Sequence, residues 1–212
     1  TDLENQPIIK AHLDNVVTTN RGTTLEANGA QVHTTEHLLA ALYGLGVDNA
    51  LIEISSTEVP ILDGSSKIFV DAIEKAGLVE QKAEKNYYVV EEVTKFEIPE
   101  KGIEFLAVPD EEFRLTVMVD YNSPVLGTQH ASMLNLGEFK SLISDSRTFV
   151  FLRELEQLAD ANLIKGGDLD NAIVLVERPD VTQEELKTLA KKLGRDESLS
   201  VNYSGMGLLN NC

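Results

Sequence analysis

The sequence predicts an α+β chain of two similar α/β halves, each a β-sheet with two helices, and three observations carry that prediction. Apolar residues recur at helical spacing in two early runs and again near the end, and β-prone segments crowd the middle. A turn sequence also occurs twice. Gly46-Val47-Asp48-Asn49-Ala50-Leu51-Ile52 is echoed by Asp168-Leu169-Asp170-Asn171-Ala172-Ile173-Val174, each after a helix and a glycine turn and each leading into an apolar strand.

Up to about Asn28 the chain is polar and rich in Thr, Asn and Gly. Short β-prone pieces such as Asn15-Val16-Val17-Thr18-Thr19 suggest a small sheet or an ordered loop. From Thr35 a helix is expected, with Leu38, Leu39, Leu42 and Leu45 on one face and Gly44 and Gly46 as its stop. A strand follows over Ala50 to Ile54. The turn-rich Val59-Pro60-Ile61-Leu62-Asp63-Gly64-Ser65-Ser66 then links into a second helix, which carries Phe69, Val70 and Ile73 inward and ends at Gly77. The charged stretch from Glu80 to Lys85 marks a domain boundary, giving a first half over 1–84 and a second over 85–212. Beyond it, strands are expected over Tyr87 to Phe96, Ile103 to Val108 and Phe113 to Asp120. The last places Phe113, Leu115, Val117 and Val119 on one side. A helix over Glu138 to Asp145, the segment Arg147 to Phe151 and a helical run from Leu152 to Asn162 come next. The final helix spans Val181 to Leu193, with Leu186, Leu189 and Leu193 as its apolar line.

Hydrophobic content of 42% and charged content of 25% over 212 residues are ordinary globular values. The formal net charge of −17 argues against nucleic acid or an anionic membrane surface as a partner, since both reward basic patches. No apolar run is long enough to cross a bilayer, and no charged-then-apolar leader opens the chain. Cys212 is the only cysteine, so no internal disulfide forms, which fits a reducing cytoplasm. A start at Thr1 and a tail at Leu208 to Cys212 that completes no helix or strand suggest a piece of something longer.

Chemistry concentrates at His33-Thr34-Thr35-Glu36-His37, which fits the H-x-x-E-H pattern of zinc metallopeptidases. That reading needs both histidines on one helical face. Val32 and His33 instead look like the end of a β-prone segment, with Thr34 or Thr35 as the helix cap. The simplest alternative makes Glu36 a favourable first-turn acid and His37 a partly buried packing residue. A third reading makes His37 one zinc ligand and Glu36 a base beside metal-bound water, with two further ligands from elsewhere in the fold.

The run Val32 to Gly46, VHTTEHLLAALYGLG, with Asp48-Asn49 and Glu58-Val59-Pro60-Ile61-Leu62-Asp63-Gly64-Ser65, resembles the UDP-3-O-acyl-N-acetylglucosamine deacetylases, zinc amidases of lipid A biosynthesis. The similarity continues through Arg147-Thr148-Phe149-Val150-Phe151 and Gly166-Gly167, covering nearly the whole chain from about Ile8. The resemblance implies that helices pack between two sheets, with small inserted elements. It implies His37 as zinc ligand, Glu36 as general base and Thr148 as the hydroxyl that steadies the oxyanion. Phe149, Phe151 and Leu163 would contact substrate, and Asp63 would support the site. The segment from Leu152 to Val176 would correspond to a β-α-β insert forming a passage for the acyl chain, with Leu155, Leu158, Leu163 and Ile164 available to line it. The substrate would be an acylated UDP-amino sugar, handled in a Gram-negative cytoplasm, with Arg147 or Lys165 as candidate local positive charges.

Two departures stand out. The family's His-Lys-x-x-Asp zinc motif, and a later histidine that assists as acid, do not occur before Cys212. Asp120-Tyr121-Asn122-Ser123-Pro124 stands where many members have a histidine before the proline. The 212-residue chain by itself is therefore expected to bind zinc poorly and to be nearly inactive. A metallopeptidase using His33, Glu36 and His37, and a catalytically dead sugar-nucleotide-binding domain, are the competing readings. The sequence does not fix the oligomeric state.

Overall fold

The computed structural model describes residues 3–155, 171–192, 194, 202–203 and 206–210. These form an α+β arrangement whose strands are spread over four small sheets. The polar opening folds as an antiparallel sheet in the order β1 (Val16–Thr18), β2 (Thr24–Ala27), β3 (Ala30–Val32). Ala27 pairs with Ala30 across Asn28 and Gly29, whose φ values of 52° and 75° are the left-handed pair a two-residue hairpin turn needs. Past β3, His33 makes a parallel bridge to Glu58, and the chain enters α1 (Glu36–Gly44). Helix α2 (Lys67–Ala76) starts from Ser66 and stops at Gly77, whose φ of 86° favours glycine.

Fully buried Ala41 of α1 and Val70 of α2 share one core cluster with Met133 and Phe139, flanked by Ala40, Leu45, Phe69 and Ile73. This cluster draws on residues from both sides of position 84. Gly44 was expected to stop α1, but it is the helix's last residue and has a different task. A Cβ there would lie 2.0 Å from the Phe139 ring, so only glycine lets that ring seat against the helix. Gly46, with φ 71°, makes the turn.

Several expected strands are shorter or absent. Ala50 to Ile54 joins no ladder among the described residues, because β propensity forms a strand only where a neighbour offers its backbone. The echo of the Asp-Asn-Ala turn is thus asymmetric, since Ala172 does lead into a strand. Of Tyr87 to Phe96 only the end becomes β4 (Thr94–Ile98), which pairs with β5 (Ile103–Ala107). Strand β6 (Leu115–Asp120) pairs antiparallel with β7 (Thr128–Met133). β7 was not anticipated, because Thr128-Gln129-His130-Ala131-Ser132 lacks apolar alternation; its partner strand defines it, including a Thr116–Ser132 hydroxyl contact at 3.0 Å. The apolar side of β6 is open, with Leu115 and Val117 44% and 45% exposed, since a two-stranded hairpin brings no second layer.

The helix expected over Glu138 to Asp145 is a single turn, α3 (Phe139–Leu142), after a 3₁₀ turn at Leu136–Glu138. It closes early because the Ile143 and Ser144 amides both donate to the Phe139 carbonyl. Strand β8 (Phe149–Phe151) runs parallel to β9 (Ile173–Val176). After α4 (Gln183–Lys192) come β10 (Asn202–Tyr203) and β11 (Gly207–Asn210), completing a sheet ordered β10-β11-β9-β8. The tail therefore does carry a strand, and buried Leu209 joins Leu152, Leu155, Val174, Val176, Val181, Leu186 and Leu189 in a second core. Residues 152–155 are helical. Leu158, Leu163, Ile164, Lys165, Gly166, Gly167 and Leu193 lie outside the described residues.

At the start of α4, the Glu185 amide donates to Thr182 Oγ1, and Glu185 Oε2 accepts from the Thr182 amide at 2.7 Å. This reciprocal capping box starts a helix whose residues, QEELKTLAKK, are nearly all strong helix formers. No helix of the described residues is long and apolar enough to cross a membrane.

Candidate active site

Helix α1 begins at Glu36, with Thr35 as the cap residue, so His33 precedes the helix and does not share a face with His37. The His33 ring is engaged elsewhere, its Nδ1 lying 3.0 Å from Thr24 Oγ1. Both facts count against a two-histidine clamp. Glu36 is half-buried, and its Oε2 accepts the Thr23 amide at 2.9 Å. Its Oε1 stands 3.4 Å from where a Cβ of Gly22 would sit, so the carboxylate lies over the bare glycine backbone. The amide end of α1 adds a favourable field for this anion. His37 follows, half-buried, with its carbonyl accepting from Ser66 Oγ at 3.0 Å. Among the described residues no hydrogen bond occupies the His37 ring.

Ser66 ties this first turn to the second motif. Asp63 Oδ1 accepts from the Ser65 amide at 3.1 Å and from Ser65 Oγ at 2.8 Å, and the Asp63 carbonyl accepts from Arg147 Nε at 2.7 Å. Asp63 thus builds the turn through its side chain and holds Arg147 through its backbone. The Gly64 carbonyl accepts the Thr148 amide at 2.8 Å, and the Thr148 carbonyl accepts the Ile173 amide at 2.9 Å. Gly64 has φ 82°, and a Cβ there would fall 1.8 Å from the Asn171 carbonyl oxygen, so strand β9's entry presses directly on this turn. These contacts, made through main-chain groups of His37, Asp63, Gly64 and Thr148, link α1's first turn, the Asp63–Ser66 turn and Thr148 in one chain of hydrogen bonds.

Phe149 and Phe151 sit on the same side of β8, with centroids 5.6 Å apart at 85°. Tyr121 meets Phe149 edge-on at 5.4 Å, and Arg153 lies over the Phe151 ring at 4.4 Å. Phe151 is buried whereas Phe149 is half-buried, so Phe149 is the more accessible of the two. A cavity of about 940 Å³ lies on another side of α1, lined by residues including Ile8, Ile9, Leu25, Leu38, Leu51 and Val59. None of Glu36, His37, Asp63, Thr148, Phe149 or Phe151 lines it.

A catalytic zinc takes three protein ligands. Among the described residues no three His, Cys, Asp or Glu side chains gather to hold a metal. His37 offers one imidazole, so these residues alone do not make a zinc shell.

Gly22, Thr23, Thr34, Glu58 and Ser66 support the centre without announcing it in the sequence. Their types are common in turns, and their roles depend on contacts across 12 to 29 positions of sequence. Thr34, Glu58 and Ser66 lay within stretches singled out from the sequence, but none of them with this role.

The chain belongs to the UDP-3-O-acyl N-acetylglycosamine deacetylase family, whose sequence profile matches residues 1–190. Its relatives sharpen the placement. It is 48% identical over all 212 residues to a Chlorobaculum tepidum protein named Bifunctional enzyme LpxC/FabZ, of which it covers 45%. A Bacteroides thetaiotaomicron protein of the same name is 48% identical over 193 residues, 91% of this chain and 42% of that one. The UDP-3-O-acyl-N-acetylglucosamine deacetylase of Thioalkalivibrio sulfidiphilus is 41% identical over 177 residues, 82% of this chain and 58% of that protein. The chain spans about half the length of the relatives it matches.

Proposed function

We propose that this chain carries the Glu36–His37 part of a centre that hydrolyses the acetamide of an acylated UDP-N-acetylglucosamine, giving the free amine and acetate in an early step of lipid A biosynthesis in a Gram-negative cytoplasm. The observation that carries the reading is the contact chain joining Glu36 and His37 to the Asp63–Ser66 turn and Thr148 in a member of the deacetylase family. Glu36 accepts a proton from the attacking water, and the new C–O bond converts the carbonyl to a tetrahedral oxyanion. The Thr148 hydroxyl donates to that oxygen, stabilising charge that exists only after attack. Collapse breaks the C–N bond, and the proton on Glu36 passes to the departing amine. Half-buried Phe149 is part of the proposal as an apolar contact for the substrate. Zinc belongs to the proposal as cofactor, with His37 as one ligand and the remaining ligands outside the described residues. The 212-residue chain alone is proposed to be nearly inactive.

The test is a chimera in which this chain replaces the 48% identical stretch of the Chlorobaculum tepidum relative. Acetate release from UDP-3-O-acyl-N-acetylglucosamine by the chimera, and a fall of about a hundredfold or more on Thr148→Ala, are the expected results. A folded chimera that binds this substrate but releases no acetate contradicts the reading.

A further inference from the structure

Thr34 is a β-branched residue with φ 57°, in the left-handed region that such side chains rarely occupy. It sits where the chain leaves the His33 bridge and turns into α1, two residues before Glu36. Three contacts from one segment hold it there. The His33 amide donates to the Thr57 carbonyl at 2.8 Å, and the Val59 amide donates to the His33 carbonyl at 3.1 Å. Between them, Thr34 Oγ1 donates to Glu58 Oε1 at 2.7 Å. The outcome of the turn is visible at Gly22. A Cβ there would lie 3.7 Å from Thr34 Oγ1 and 3.4 Å from Glu36 Oε1, so hydroxyl and carboxylate stand side by side over one glycine. The same turn lets the Thr35 amide and hydroxyl both reach the Thr23 carbonyl, while the Thr23 amide reaches Glu36.

We infer that Glu58 is a positioning residue of the Glu36 centre: its carboxylate clamps Thr34 in the left-handed turn that aims Glu36 over Gly22 and Thr23. Backbone strain of this kind persists only when neighbours over-determine it. Among the described residues, the Glu58 carboxylate is the side-chain hydrogen-bond partner that Thr34 has. Catalytic consequences of the clamp rest on the function proposed above; the clamp itself does not.

The two are separated by a mutant cycle with two readouts. Hydrogen exchange at the Thr23 amide reports the Glu36 contact whether or not the protein is catalytic. Glu58→Ala is expected to speed that exchange about tenfold, the scale of losing a clamp on a strained residue. Glu58→Gln keeps an acceptor oxygen and is expected to exchange as the parent does. In a Thr34→Gly background, where φ 57° costs nothing, Glu58→Ala is expected to have little effect. In the Chlorobaculum chimera, Glu58→Ala is expected to lower kcat with KM nearly unchanged, and adding Thr34→Gly to restore it. Equal losses from Glu58→Ala in the parent and in the Thr34→Gly background, or failure of Glu58→Gln to preserve Thr23 protection, would overturn the inference. A chimera without acetate release sinks the functional reading alone, because Thr23 exchange still decides the clamp.

Discussion

Gly44 and Phe139 make the sharpest stability prediction. An added methyl at Gly44 would meet three atoms of the Phe139 ring at 2.0, 2.4 and 2.5 Å, far inside ordinary contact. Alanine gains about 0.5–1 kcal/mol over glycine in a helix, whereas overpacking of a filled core costs about 1–3 kcal/mol. The ring is only 6% exposed and has little room to retreat, so the clash sits at the upper end of that range. Gly44→Ala should therefore destabilise by about 2–2.5 kcal/mol, the upper-end clash less the helical gain. Removing the ring reverses the sign. In a Phe139→Ala background, itself about 3–5 kcal/mol less stable, Gly44→Ala should stabilise by about 0.5–1 kcal/mol. Phe139→Leu gives an intermediate, better-folded background for the same comparison. Urea unfolding followed by circular dichroism measures the cycle through the midpoint at constant slope. If Gly44→Ala changed stability equally with and without the ring, Phe139 would not sit on this helix as described.

The remaining predictions concern one carboxyl group, the metal and one imidazole. The Thr182 amide, the Thr182 hydroxyl and Arg178 hold the Glu185 carboxyl below its ordinary range. Because the folded pKa is the lower one, the contribution to α4 is complete above the ordinary glutamate pKa and fades as pH falls through the depressed value. A carboxyl-carbon NMR titration should show that lowered midpoint, and Thr182→Ala should return it upward. Metal analysis of the isolated 212-residue chain should find well under one zinc per chain, since among the described residues no three His, Cys, Asp or Glu side chains gather around His37 or elsewhere; a tight stoichiometric zinc would refute this. His33→Ser in the Chlorobaculum chimera should cost only a few-fold in acetate release, about the effect of losing one ordinary hydrogen bond, whereas near-complete loss would show that His33 serves the centre directly, as a two-histidine clamp requires.

What the sequence revealed follows the range of the interactions involved. The helix at Glu36 was legible because its cap and apolar spacing are local, and so was the rejection of a shared face for His33 and His37. The inward set of α2 was legible for the same reason. Ala50 to Ile54 misled because its β-prone residues say nothing about a partner strand. β7 was missed for the converse reason, since its polar residues are strand only because β6 lies beside them. Gly44 looks like a stop signal in the sequence, yet its reason is the Phe139 ring, far away along the chain. At the site, residue types single out Glu36 and His37 with several readings open, and Thr148 enters only through the family resemblance. The role of Glu58 went unread because it depends on the φ of Thr34, which no residue type announces.

The central claim is that Glu36 moves the proton in amide hydrolysis. Glu36→Gln in the Chlorobaculum chimera tests it directly, since a glutamine oxygen can still accept the Thr23 amide and keep the turn intact. The account predicts that acetate release from UDP-3-O-acyl-N-acetylglucosamine falls by about a hundred- to ten-thousand-fold, with Thr23 exchange unchanged. A variant that keeps the parent rate would contradict it.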